Sequence, residues 1–361
     1  MKTQRRRTAG LTVNIKDVAL AAGVSTATVS RALRQQPSVT LSTRNRINRI
    51  AAAMGYSISP SAAALATGRS RIITVLTPTV RHWFYSKALE GASRALAARN
   101  YSLNIVVTDP HDCKHIATLG PSHVDALLIF GNAAESGTAL LELTGSTLPC
   151  AIVGGRASRG HSVGVDEQQI LSAAVRHLRQ SGHKRIALLI ADSYVWIEED
   201  TGCPELLEAV RKSLSHRATE SPLEAFTRTR EVFEKLWTGW TSGPAAFICP
   251  SDEAAIGILF ECARRGVKIP EQVAVVSLEG NDLAAPLGLT SILQHPADQA
   301  ALAVRILLDE LAGASGEPTS VTTPFELIVR SSSSPQEPPA ALPGSASSAK
   351  SRPENSRDRI R

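Results

Sequence analysis

From residue 71 onward the chain alternates short apolar runs with helical stretches, and this alternation restricts the fold more than any other feature. The runs are RIITVL (71–76), LNIVV (103–107), ALLIF (126–130), CAIVG (150–154), RIALLI (185–190), AAFIC (245–249) and VAVVSL (273–278). Helical patterns lie at 84–99, 166–181, 205–214, 224–237, 252–265 and 297–312. Continuous apolar runs are buried on both faces, and helices between them supply crossovers, so parallel pairing is predicted. About 260 residues of this pattern exceed a single small sheet, which predicts two lobes. Ligands of such folds sit at the carboxyl ends of strands, in the cleft between lobes.

The first seventy residues follow a different rule. In DVALAAGVSTATVSRAL, Asp17 to Leu33, the apolar positions Val18, Ala19, Ala22, Val24, Val29 and Leu33 are interrupted by a glycine and a serine. Ile15 to Ala22 reads as one helix. Gly23 supplies a left-handed turn that a side chain would resist. Ser25 suits an N-cap, accepting from the N–H of Ala27 or Thr28. A second helix then runs from Thr26 to about Arg34, with Val29 and Leu33 inward and Thr26, Ala27, Ser30 and Arg31 outward. Ala19, Gly23 and Val29 stand four and then six residues apart, the spacing of a helix-turn-helix whose second helix enters the DNA major groove. A third helix is predicted after the N-cap Thr40, with Ile47, Ile50 and Met54 inward, Arg44, Arg46 and Arg49 exposed, and Gly55 as its stop.

Charge agrees with this division. Residues 1–70 hold eleven Lys or Arg and one acid, Asp17, for a net of +10, whereas the other 291 residues carry a net of −4. One end of the molecule is therefore suited to a polyanion. No apolar run is long enough for a membrane span, and no apolar segment follows the basic start, so no signal peptide is expected. The five cysteines are odd in number and scattered, which points to reduced thiols and supports no metal site.

The segments IKDVALAAGVSTATVSRAL, TRNRINRIAAAMGY and LATGRS resemble the DNA-binding headpiece of the lactose-repressor (LacI/GalR-type) transcription regulators. The resemblance continues through GVDEQQILSAAVRHLRQSGHKRIALL, SDEAAIGILFECARRGVKIPEQVAVVSL and LTSILQHPADQAALAVRILL, covering about residues 14–330. It implies an all-α headpiece joined to an α/β, two-lobed periplasmic-binding-protein-like domain with parallel sheets, with chain crossovers near 159–163 and 286–295. The implied division is a basic arm (1–13), a headpiece (14–56), a hinge (57–70), an effector-binding and dimerisation domain (71–330) and a disordered tail (331–361).

Carried over by this resemblance, Thr26 and Ala27 open the recognition helix at base-reading positions. Arg31 sits where a guanidinium can read guanine through O6 and N7. Ser25, Thr28, Ser30, Arg34, Thr40 and Thr43 fall at phosphate-contacting positions, which set register rather than sequence, and Tyr56 joins the DNA-binding set. Leu65 aligns with the hinge leucine that wedges into the minor groove. The usual hinge Asn and Arg are replaced by Ser59 and Ala63.

For the cleft, the resemblance implies Phe84, Tyr85, Ser251, Asp252, Glu279 and Gln294 as effector-binding residues, with Asp252 chiefly structural. Gly154 replaces a common Asp, Pro204 lies near the place of a usual arginine, and the 109–123 connection is short. Without that arginine, and with Glu279 present, a neutral carbohydrate is expected rather than an anion. No GxSxG, GxxxxGK[ST] or HExxH motif occurs, so no catalysis is expected and no cofactor is implied. HDCKH (111–115) reads as a surface loop rather than a metal site. The expected protein is a cytoplasmic repressor, a homodimer on a near-palindromic double-stranded operator, with a tetramer left open. The alternatives are a constitutive DNA-binding regulator with a degenerate cleft and a ligand-binding receptor without a DNA role.

Overall fold

A computed structural model of the chain describes residues 13–56, 68–108, 124–131, 148–155, 159–190, 193–197, 206, 208–209, 221–238, 244–314 and 317–335. The headpiece holds α1 (Ile15–Ala22), α2 (Thr26–Leu33) and α3 (Leu41–Ala53). The single acid of the basic segment, Asp17, closes α1. Its Oδ2 accepts from the Asn14 N–H at 2.9 Å while Asn14 Oδ1 accepts from the Asp17 N–H at 3.3 Å, a capping box. Gly23 follows with φ of 62°, the left-handed turn expected of it. Val18, Ala19, Ala22, Val29, Ala32, Val39, Ile47 and Ala51 form the small core shared by the three helices.

The remainder builds two six-stranded sheets. The first orders β11-β5-β4-β3-β1-β2, and the second β12-β10-β9-β8-β6-β7. Here β1 is Ile72–Thr77, β2 Ser102–Val107, β3 Ala126–Phe130, β4 Cys150–Val153, β5 His161–Gly164 and β6 Arg185–Ile190. The rest are β7 Ser193–Ile197, β8 Ala245–Cys249, β9 Val273–Ser277, β10 Thr290–Leu293, β11 Ser320–Thr322 and β12 Glu326–Ile328. Every pairing in the first sheet is parallel. The second has antiparallel partners at both edges, β7 on β6 and β12 on β10. All seven apolar runs became strands. The five strands without such a run are short or lie at edges, where half-buried residues dilute the pattern.

Helix α4 (Trp83–Ala97) packs on the first sheet, together with α8 (Pro296–Leu311). Helix α5 (Glu167–Gln180) covers one face of the second sheet. Helices α6 (Pro222–Thr238) and α7 (Asp252–Arg265) cover the other. The chain passes between lobes three times: between β5 and α5, between β10 and α8, and between β11 and β12. The first crossing therefore follows β5 instead of falling at 159–163, and the third has no counterpart among the expected crossovers.

Two further expectations are corrected. The ordered chain does not stop at residue 330, because Ser332 and Ser333 are buried. Ser332 Oγ donates to the Val275 carbonyl at 2.7 Å and accepts from the Thr290 N–H at 2.8 Å. Arg44 is not an exposed face residue. Its guanidinium donates to the carbonyls of Gln36 (2.9 Å) and Val39 (3.2 Å), clasping the loop between α2 and α3. Cys150, Cys249 and Cys262 are free and buried, and burial raises the pKa of each thiol, so they are inert packing groups. No helix among the described residues is long and apolar enough to cross a membrane.

Candidate nucleic-acid interface and interlobe cleft

On α2, Val29 and Ala32 face the headpiece core, which leaves Thr26, Ala27 and Arg31 exposed on the opposite side. Ser25 caps the helix, its Oγ accepting from the Thr28 N–H at 3.1 Å and lying 2.9 Å from Thr28 Oγ1. Thr28, Ser30 and Arg34 are half-buried at the edge of this surface. The Arg31 Nε donates to the Ala27 carbonyl at 3.3 Å, so the guanidinium rests along its own helix with its remaining N–H groups available. Thr40 caps α3 as expected, and its hydroxyl donates to Thr43 Oγ1 at 3.0 Å. Arg46 and Arg49 are exposed on α3, and Tyr56 packs half-buried against the headpiece core. The structure thus exposes Thr26, Ala27 and Arg31 on one face of α2, with Thr28, Ser30 and Arg34 half-buried on the same helix or at its end. Leu65 lies outside the described residues, as do HDCKH and most of 205–214.

The cleft differs from its expectation in the two aromatic residues. Phe84 and Tyr85 are 0 % and 2 % exposed and belong to the first-lobe core. They meet edge to face at 5.6 Å, and Tyr85 stacks on Phe130 at 6.3 Å. Their rings close over Gly154 and Gly131, the residues that follow β4 and β3. The space left where a side chain is missing at 154 is filled from within. Neither ring offers a face to solvent in this arrangement.

The second-lobe residues converge but are occupied with one another. Ser251 is the N-cap of α7, accepting from the Ala254 N–H at 3.3 Å. Asp252 is fully buried; Ser277 Oγ and the Asn281 N–H donate to it, and Ser291 Oγ donates at 3.1 Å. This network ties α7 to β9, β10 and the turn after β9. Gln294 donates to the Leu278 carbonyl and its own carbonyl accepts from Gln299 Nε2 at 2.5 Å.

Glu279 reaches across the lobes. Its Oε1 stands 3.2 Å from Nδ1 of His82, which precedes α4, and its Oε2 accepts from the Asp252 N–H at 3.4 Å. Lys87 and Asp282 make a second bridge at 3.3 Å, across a more exposed part of the seam. Glu253, one residue into α7, joins the buried group, with its carboxyl pKa raised to about 7 by burial and by the neighbouring charge of Glu279. Sequence reasoning passed over His82 and Glu253, since a lone histidine in a loop and a glutamate in a first helical turn are ordinary.

Comparison with known proteins agrees with both halves of this description. Residues 14–59 match the family of bacterial regulatory proteins of the lacI type, and residues 175–333 match the periplasmic binding protein-like domain. Catabolite control protein A of Staphylococcus epidermidis is 27 % identical over 331 residues, covering 89 % of this chain and 99 % of that protein. The HTH-type transcriptional repressor CytR of Escherichia coli K12 is 28 % identical over 351 residues, covering 92 % and 98 %. Among solved structures, the lac repressor dimer bound to operator and an anti-inducer superposes with a TM-score of 0.72 at 21 % identity, over 90 % of this chain and all of that one. A CelR–cellobiose complex does so with a TM-score of 0.55 at 21 % identity, over 89 % and 99 %. The two matches together, a lacI-type DNA-binding segment and a periplasmic binding protein-like domain, with relatives that are regulators and not enzymes, place this chain in the LacI family of bacterial transcription regulators.

Proposed function

We propose that the protein acts in the cytoplasm as a homodimeric repressor on a near-palindromic operator. The supporting observation is the exposure of Thr26, Ala27 and Arg31 on a helix whose other face is the headpiece core, within a segment of net charge +10. Thr26 and Arg31 would read base edges, and the methyl of Ala27 would meet a thymine methyl. Ser25, Thr28, Ser30, Arg34, Thr40 and Thr43 would contact phosphates, with Tyr56 beside them and Leu65 wedged at the operator centre. A duplex selected from a random pool tests this reading. Log affinity for it should fall linearly with log salt, by about 0.9 per phosphate neutralised. Residues 71–361 alone should remain dimeric and lose the duplex. Operator binding by that truncation overturns the reading.

The cleft is read as the site of a small neutral, hydroxyl-rich effector, with Glu279, Gln294 and Ser251 supplying polar groups. A structural relative holds cellobiose. Binding shifts DNA affinity only if the ligand prefers one arrangement of the lobes over the other. The burial of Phe84 and Tyr85 favours a second reading, a constitutive regulator whose cleft is closed by its own side chains. A thermal-shift screen of neutral sugars, polyols and nucleosides against wild type and Glu279→Ala separates them. Stabilisation of wild type alone supports the effector site, and no stabilisation at millimolar concentration supports the constitutive regulator.

A further inference from the structure

We propose that His82, Glu253 and Glu279 form a site for a first-row divalent transition-metal ion that bridges the two lobes. One potential ligand atom from each of the three lies within 4.8 Å of the others. His82 leads into α4 of the first lobe, whereas Glu253 and Glu279 stand at the carboxyl ends of β8 and β9 in the second. Two ligands about 2.1 Å from a tetrahedral metal are about 3.4 Å apart. The 3.2 Å between His82 Nδ1 and Glu279 Oε1 is close to that edge.

The carboxylates are also held in place from behind, as metal ligands are. Glu279 Oε2 takes the Asp252 N–H, and Glu253 Oε1 takes the Asn281 side-chain amide at 3.2 Å. That leaves Glu253 Oε2, a buried oxygen with no hydrogen-bond partner. Such an atom is costly to bury unless something satisfies it. Glu279 is fully buried and His82 is 2 % exposed. Two carboxyl groups meet one imidazole here, and a dication would offset their charge. One nitrogen and two carboxylate oxygens suit zinc, cobalt, iron or manganese in the divalent state, with a coordination position left for water.

The site needs neither DNA nor a sugar, so it is tested without either, and its failure leaves the sugar reading untouched. Full-length protein stripped with a chelator is titrated with Co²⁺ and then with Zn²⁺. The expected result is one Co²⁺ per chain with the visible absorption of a low-coordinate nitrogen–oxygen site, displaced by Zn²⁺. His82→Gln and Glu253→Gln should each weaken binding by about tenfold or more. Glu253→Gln mimics a neutral carboxyl and should fold, as its metal-free melting curve will show. Because the ligands come from both lobes, Zn²⁺ should make wild type more compact in solution scattering and leave His82→Gln unchanged. The proposal is overturned if no equivalent of Co²⁺ binds at micromolar concentration. It is equally overturned if binding survives both substitutions and disappears on replacing His111 and His115.

Discussion

The ring of Phe84 lies so close to Gly154 that a Cβ at position 154 would stand 2.8 Å from the ring's Cζ. Gly154 also has a φ of 71°, which a side chain resists. The carboxyl end of β4 is therefore shaped by an aromatic ring instead of a polar side chain. Restoring a carboxylate with Gly154→Asp should lower stability by about 2–4 kcal/mol, from left-handed strain and overpacking together. Adding Phe84→Leu should recover part of that loss. Denaturant midpoints of the three proteins check it, and an unshifted midpoint for Gly154→Asp would remove the ring from this position.

Arg31 and Arg44 should behave as different kinds of residue. Arg31→Ala should cost about 1–3 kcal/mol of operator affinity and relax preference at one base pair per half-site. Arg44→Ala removes two charged hydrogen bonds to the α2–α3 loop and should destabilise the headpiece by about 1–3 kcal/mol. Its loss of DNA binding should be sequence-independent and accompanied by a lower headpiece melting temperature. Equal, sequence-independent losses for both variants would make Arg31 a phosphate contact.

Asp252 should act as structure. Its carboxylate is buried and receives three hydrogen bonds from the ends of β9 and β10 and the turn after β9. Asp252→Ala leaves the Asn281 N–H unsatisfied and the Ser277 and Ser291 hydroxyls with only each other, and should cost about 3–5 kcal/mol. Ser277→Ala should cost less. A Glu279 variant should alter ligand response with a smaller loss of stability, and denaturation of all three measures the difference.

The ordered end of the chain should be needed for stability. Ser333 Oγ lies 2.6 Å from His177 Nε2 and donates to Thr290 Oγ1 at 2.6 Å. A chain ending at 330 should unfold at a lower temperature than one ending at 335. The difference should depend on pH. Burial holds the pKa of His177 below its ordinary 6.5, and burial together with His177 does the same for His183. The folded state therefore takes up protons less readily than the unfolded one. Stability from these neutral rings is present above about pH 6.5 and is lost as pH falls below it. Shortening the chain uncovers His177, so the gap in melting temperature should narrow on acidification.

Whatever depends on near neighbours along the chain could be read from the residues alone. The helix-turn-helix, its Ser25 and Thr40 caps, the turn at Gly23 and the seven strands with apolar runs were legible because capping, turn geometry and apolar runs leave local patterns. The charge division between headpiece and core was legible for the same reason. Which groups meet across the molecule is a property of the folded chain. Arg44 folds back on a loop, Phe84 and Tyr85 turn into the first-lobe core, and Ser332 and Ser333 pin the chain beyond residue 330, because each finds its partner on another element. His82, Glu253 and Glu279 show the limit most clearly. None is unusual in its local context, yet strands ending at one seam bring a histidine and two carboxyl groups from opposite lobes into a single buried cluster. Periodicity reports which face of an element is buried; it carries no record of what lies against that face.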